Sequence, residues 1–171
     1  MTAQIETERK YLIRRPAEEW LMARCFRVTV MEQTYLQAPE GITRRVRCRK
    51  EEGLCRYILT EKRRISAMSC QETEREVSEA AYRLLLQEKL PNSRSICKTR
   101  YCLRKDRQVF EIDLYDFWQE AATMEVELSS EEEAVFLPEG IEILAEVTGD
   151  HRFSNVSLSR TLPDLGEYLG G

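Results

Sequence analysis

Several large protein classes need features that the 171-residue sequence lacks. No apolar run approaches the roughly 18 residues of a membrane-crossing helix. The first residues, MTAQIETERK, lack the apolar core of a secretory leader. A cytoplasmic protein with no membrane partner is the expectation. Soft metal ligands are scarce too: there is one histidine, His151, and six cysteines (Cys25, Cys48, Cys55, Cys70, Cys97 and Cys102) without a CxxC spacing, which argues against a zinc centre. The thiols read as free, small apolar fillers with no functional signal. Glycine and proline are few, at 7 and 5. No Gly/Ser-rich linker, low-complexity tract or internal repeat interrupts the chain, so a single domain over 1–171 is expected. A net charge of −4 leaves no broad cationic face for nucleic acid.

Charge is plentiful and unevenly placed. Charged residues make up 33% of the chain and hydrophobic ones 42%, a balance that excludes both disorder and membrane residence by helices. Basic residues crowd into Arg44 to Arg64 and Lys98 to Arg107, and acidic ones into Glu111 to Glu146.

Segments 3 to 13, 28 to 37, 42 to 50, 54 to 63, 70 to 78, 95 to 104, 108 to 116, 122 to 129 and 142 to 149 are β-branched, aromatic and alternating, and so read as strands. The polar stretch Arg104 to Gln108 suits a hairpin turn. Helical spacing marks Ala17 to Arg24 and Ser78 to Leu90. A third short helix is expected from Ser129 or Ser130, where a hydroxyl and a glutamate three residues on form a capping box.

The strand faces carry the functional signal. Residues two apart in a strand share a face, and here they hold like charges: Glu6 and Glu8 before Lys10, Arg45 with Arg47, Glu74 with Glu76, Lys98 with Arg100, Glu111 with Asp113, Glu125 with Glu127, and Thr60 before Lys62. One such strand is most simply a solvated outer face. Seven strands segregated into acidic and basic ones need something to offset their internal repulsion. A sheet closed into a barrel with these faces inward would set the basic strands against a polyanion and the acidic strands against a divalent cation.

The same residues resemble a known family. Glu6-Thr7-Glu8-Arg9-Lys10 matches the ExExK signature of the CYTH superfamily, the triphosphate tunnel metalloenzymes. The motifs that follow keep the family's order: Thr34-Tyr35-Leu36, Arg45-Val46-Arg47, Leu59-Thr60-Glu61-Lys62, Glu74-Arg75-Glu76, Lys98-Thr99-Arg100-Tyr101, Glu111-Ile112-Asp113, Glu125-Val126-Glu127, Glu146-Val147-Thr148 and Asp150-His151-Arg152-Phe153-Ser154-Asn155. ExExK alone is unspecific; the ordered set, over positions 5 to 158, is specific.

The resemblance implies a mostly β fold with flanking helices (α+β), built as a closed eight-stranded antiparallel β-barrel with a charged lumen. It implies a metal-dependent hydrolase of triphosphate compounds, with inorganic tripolyphosphate as first substrate and Mg2+ or Mn2+ as cofactor. Lys10, Arg45, Arg47, Lys62, Lys98, Arg100 and Arg152 would bind the phosphates. Glu6, Glu8, Asp113, Glu125, Glu127 and Glu146 would ligate the metal through hard oxygens. Thr60, Glu74, Glu76 and Glu111 would complete the lining. Lys98 and Tyr35 would assist the chemistry, with Glu8 as base. Other family chemistries stay open: hydrolysis of thiamine triphosphate or nucleoside triphosphates, adenylate cyclisation, or binding without catalysis. Family members often form dimers, so a homodimer is a further expectation.

Two positions depart from the family pattern. Glu72 stands where an arginine is common, making three alternate acids with Glu74 and Glu76. The glycine-rich hairpin that often follows the TxK motif is replaced by Arg63-Arg64-Ile65-Ser66-Ala67. Trp20, Trp118 and His151 read as packing or loop residues.

Overall fold

Alternation along the chain becomes antiparallel pairing in the structure, a computed structural model that describes residues 3–170. The strands are β1 (Gln4–Arg14), β2 (Arg27–Leu36), β3 (Ile42–Glu51), β4 (Leu54–Arg64), β5 (Ser69–Val77), β6 (Ile96–Lys105), β7 (Gln108–Tyr115), β8 (Ala121–Leu128) and β9 (Ile143–Glu146). The ladder runs β5-β4-β3-β2-β6-β7-β8-β1, and β1 then pairs back onto β5. Eight strands thus form a closed barrel. Gln4 to Thr7 of β1 face Glu72 to Ser69 of β5, while Tyr11 to Ile13 take β9 on the same edge, with a register shift between Leu12 and Ile13.

Two hairpins have two-residue turns with left-handed backbone. Glu52 and Gly53 (φ 47 and 80) join β3 to β4, and Asp106 (φ 53) with Arg107 joins β6 to β7, where the sequence predicts the turn. Such turns match the twist of the flanking strands.

Three apolar clusters hold the barrel. Outside β6, β7, β8 and β1, residues such as Phe110, Ile112, Met124 and Ile13 pack under Leu21 of helix α1 (Glu18–Met22), with Val135 and Ile141 against them. Outside β2 to β4, Leu36, Val46 and Leu59 pack against Tyr82 of α2 (Glu79–Leu85). Ser78 caps α2, accepting from the Ala81 amide at 3.1 Å. The third cluster lies inside: Leu12, Tyr35, Ile96, Tyr115 and Ala121 point inward by register and meet Val147, Phe153 and Leu158 of the C-terminal segment. This plug fills one end of the lumen.

The C-terminal segment folds as a 3₁₀ turn (His151–Phe153) and two short helices, α3 (Asn155–Leu158) and α4 (Gly166–Leu169). The helix expected after Ser129 does not form. The Ser129 amide and hydroxyl donate to Glu133 at 2.5 and 2.6 Å, four residues on, so the three-residue spacing of a capping box is not met. Glu131 is drawn to Ser66 in the β4–β5 loop and to Ser69 (2.9 Å) at the start of β5. Gln108 takes the Ala134 carbonyl and the Phe136 amide, pulling the chain out straight. No helix among the described residues is long and apolar enough to cross a membrane.

Candidate functional site: a charged lumen

Inward parity is the same on every wall of the barrel. Register sets Lys10 opposite Glu125, Glu8 opposite Glu127, Arg45 opposite Thr60, Thr60 opposite Glu74, Lys62 opposite Glu72, Arg100 opposite Asp113, and Glu111 opposite Glu125. Together they enclose a cavity of about 840 Å³, lined by Glu6, Glu8, Lys10, Tyr35, Arg45, Arg47, Lys62, Glu74, Arg100, Glu111 and Glu125. These eleven come from the sequence-predicted set. Glu72, Arg27, Thr43, Arg49 and Arg64 line it as well. Strict alternation on β3 (43, 45, 47, 49) would have found two of them.

Most of the cations are matched by acids. Lys10 Nζ lies 3.1 Å from Glu125. Lys62 bridges Glu6 at 3.3 Å and also contacts Glu72. Arg47 bonds Glu74, which also accepts from the Thr60 hydroxyl at 3.0 Å. Arg100 is gripped from two sides: Nε and Nη2 donate to Asp113 at 2.7 and 2.9 Å, and Nη1 to Glu111 at 2.5 Å. Lys98 completes that clamp, Nζ donating to Asp113 at 2.6 Å with both side chains 1% exposed.

Arg45 differs. It lines the cavity with no acid within ion-pair distance among the described residues, and its buried Nε has no hydrogen-bond partner. A buried donor without a partner is costly, so Arg45 is a cation held ready for an anion. Nε of the neighbouring Arg47 is likewise unpaired. Burial, then repulsion by Arg45, pulls the Arg47 guanidinium down to about 9.

The acids show the complementary imbalance. Burial and the neighbouring Glu125 push the Glu8 carboxyl up to about 8, although Lys62 and Lys10 act against them. For Glu125, burial is outweighed by Lys10, Arg100 and Lys98, which hold it below the usual carboxylate range. Two neighbouring carboxyls shifted in opposite directions concentrate negative charge on this wall, which a divalent cation would offset. Oxygens of Glu6 and Glu72 also gather with the Cys70 sulfur within 4.8 Å. A donor set of carboxylate oxygens suits Mg2+ or Mn2+. The carboxylates that line the cavity, Glu6, Glu8, Glu72 and Glu125, are thus donors of the type such a metal takes, and among the described residues the gathered ones are Glu6 and Glu72, with Cys70.

Some predicted residues lie elsewhere. Glu146 pairs with Tyr11, whose side chain packs in the outer cluster, and approaches the outward Arg9 at 4.0 Å. It stands outside the barrel, which removes it from the ligand set. Asp113 is saturated by Lys98 and Arg100, so it acts as a clamp and offers no open ligand position. Lys98 lies behind Asp113 and off the cavity wall, with burial pulling its ammonium down to about 8. Glu127 and Glu76 share inward parity but are exposed and outside the lining. Arg152 is exposed, held by Asp150 at 2.7 Å, and borders a separate cleft with His151 and Arg160.

The β4–β5 loop borders the cavity in place of a glycine-rich hairpin. Met68 accepts from the Glu8 amide at 3.0 Å. Gly149, at φ 74, approaches Ala67 so closely that a Cβ there would sit 2.9 Å from the alanine methyl.

No family model matches the sequence, and no curated protein does. Solved structures do. NE1496, solved as an inorganic triphosphatase, is 25% identical over 93% of this chain and 97% of its own, with a TM-score of 0.57. That shared fold supports the resemblance to the CYTH, or triphosphate tunnel, superfamily. Two solved structures of lower identity share the fold: PH1819 of Pyrococcus horikoshii OT3 (19% identity, 74% and 80% coverage, TM-score 0.56) and a proposed adenylate cyclase of Bacillus halodurans (16%, 99% and 100%, TM-score 0.56). In this barrel the C-terminal plug and the β4–β5 loop border the charged cavity.

Proposed function

We propose that this protein hydrolyses inorganic tripolyphosphate to pyrophosphate and phosphate in the lumen, with Mg2+ or Mn2+. The carrying observation is Arg45, which lines the cavity with no acid within ion-pair distance among the described residues, while Lys10, Arg47, Lys62 and Arg100 beside it are each paired with an acid. The inorganic triphosphatase NE1496, with the same fold, supports the reaction class.

The phosphate chain would lie along Arg45, Arg47, Lys62 and Arg100, whose planar forks and ammonium match its oxygens. Arg100 can bind without shifting because Asp113 and Glu111 fix its guanidinium, and Lys98 fixes Asp113; such preorganisation is what phosphoryl transfer asks of a site. Lys98 is thus a positioning residue. Tyr35, beside Arg45 on the neighbouring strand, directs a phenol at the same oxygens. Glu8, with its carboxyl pushed up to about 8, would accept the proton of the attacking water. Glu6, Glu8 and Glu125 would hold the metal, which supplies charge against the phosphate oxygens and makes a nearby water more acidic.

An inorganic substrate is favoured over a nucleotide or thiamine ester by the lining. Among the described residues, Tyr35 and His151 are the only rings on the cavity wall. Trp118 is packed against Tyr115 and Phe117, and Trp20 against Arg24 on the outside. Phosphate release from tripolyphosphate, ATP and thiamine triphosphate, each with Mg2+, Mn2+ or chelator, tests this. Metal-dependent release mainly from tripolyphosphate is expected. Faster release from either organic compound would reassign the substrate, and release from none would leave a binding module.

A further inference from the structure

Filler packing describes Cys102, which is buried, but Cys55 is exposed and Cys48 only half-buried. Both project from the outer face of the β3–β4 hairpin. In the ladder Cys48 faces Tyr57 and Cys55 faces Lys50, so the two lie on a diagonal. Diagonal side chains on one face normally stay apart, yet these sulfurs come within 2.9 Å of each other. No other thiol pair among the described residues makes such a contact.

We propose that Cys48 and Cys55 form a dithiol site that reacts as a unit with a low-molecular-weight disulfide of the glutathione type, closing a covalent strap across the hairpin. The exposed Cys55, as thiolate, attacks one sulfur of the external disulfide; a mixed disulfide forms, and the first leaving thiolate takes up a proton. Cys48 then gives up its proton and attacks the Cys55 sulfur, expelling the second thiol. Two protein thiols are oxidised and one external disulfide is reduced to two thiols. Burial and its hydrogen bond to Cys55 push the Cys48 thiol up to about 11, so Cys48 attacks second, after the adduct on Cys55 has removed that bond and proximity favours the exchange. Neighbouring Arg47 and Arg49 line the cavity, so the strap would fasten the outer side of the wall that carries them.

The full chain, free of metal and substrate, is treated with oxidised glutathione and read by intact mass and non-reducing peptide mapping. The expected product has lost two hydrogens, carries a Cys48–Cys55 cross-link, and melts at a higher temperature that reductant reverses. Cys97 is exposed and has no thiol hydrogen-bonded to it among the described residues, so it serves as an internal comparator that keeps a glutathione adduct. In Cys48→Ser the adduct should persist on Cys55, and the Cys48→Ser, Cys55→Ser double variant should show no reductant-sensitive melting shift. Stable adducts on wild-type Cys55 without the cross-link, or cross-links to Cys97 at equal yield, would overturn the proposal.

Discussion

Glu8 keeps its proton to about pH 8 in the folded, metal-free protein, against an ordinary value of 4.5. Between those limits the folded state holds a proton that the unfolded chain has lost, so stability falls as pH rises toward 8. Denaturation with chelator present should show that fall, and Glu8→Gln should flatten it. Glu125 has the opposite sign: held low by its cationic neighbours, it contributes stability above the ordinary carboxylate range and loses it on acidification. Free Mg2+ or Mn2+ should therefore raise the melting temperature more at pH 8 than at pH 6. Arg45 and Asp113 separate binding from folding. Arg45→Ala removes a cation that has no acid partner, so KM for tripolyphosphate should rise roughly ten- to hundredfold, the worth of about 1.5–3 kcal/mol in charged hydrogen bonds. Its melting temperature should hold or increase. Asp113→Asn strips charge from a buried clamp and should cost about 3–5 kcal/mol in equilibrium unfolding.

At the scale of elements, the strands were legible because like charges two apart fix a face, and β3 shows the rule from Thr43 to Arg49. Parity says which residues share a face; it does not say which side of the wall that face takes where a strand is short or shifted. β9 has four residues and meets β1 across a register shift, so Glu146, read as a ligand, lies outside. The clamp around Asp113 was hidden for a different reason: alternation shows that Lys98, Arg100 and Asp113 share a face but not that they consume one another's charge. The plug was also unread, because its helices of four residues are too short to display a period. Its importance is open to measurement: Phe153 is fully buried in the plug, and Phe153→Ala should cost about 3–5 kcal/mol in chemical denaturation.

For the whole molecule, closure is the governing feature. β1 pairs on one side with β8, as in Thr7 with Leu128, and on the other with β5 and β9. Such distant pairings are slow to form. A chain cut after Asp116, lacking β8 and β9, should give no cooperative unfolding transition by circular dichroism, whereas the full chain should unfold in one step. During synthesis β1 is made well before β8, its longest partner, and must wait as an unpaired strand. Repelling charges along such an edge discourage pairing with other chains, and Glu6, Glu8 and Lys10 place them on it. The residues that charge the finished lumen would thus also keep the nascent strand from aggregating until its partners arrive.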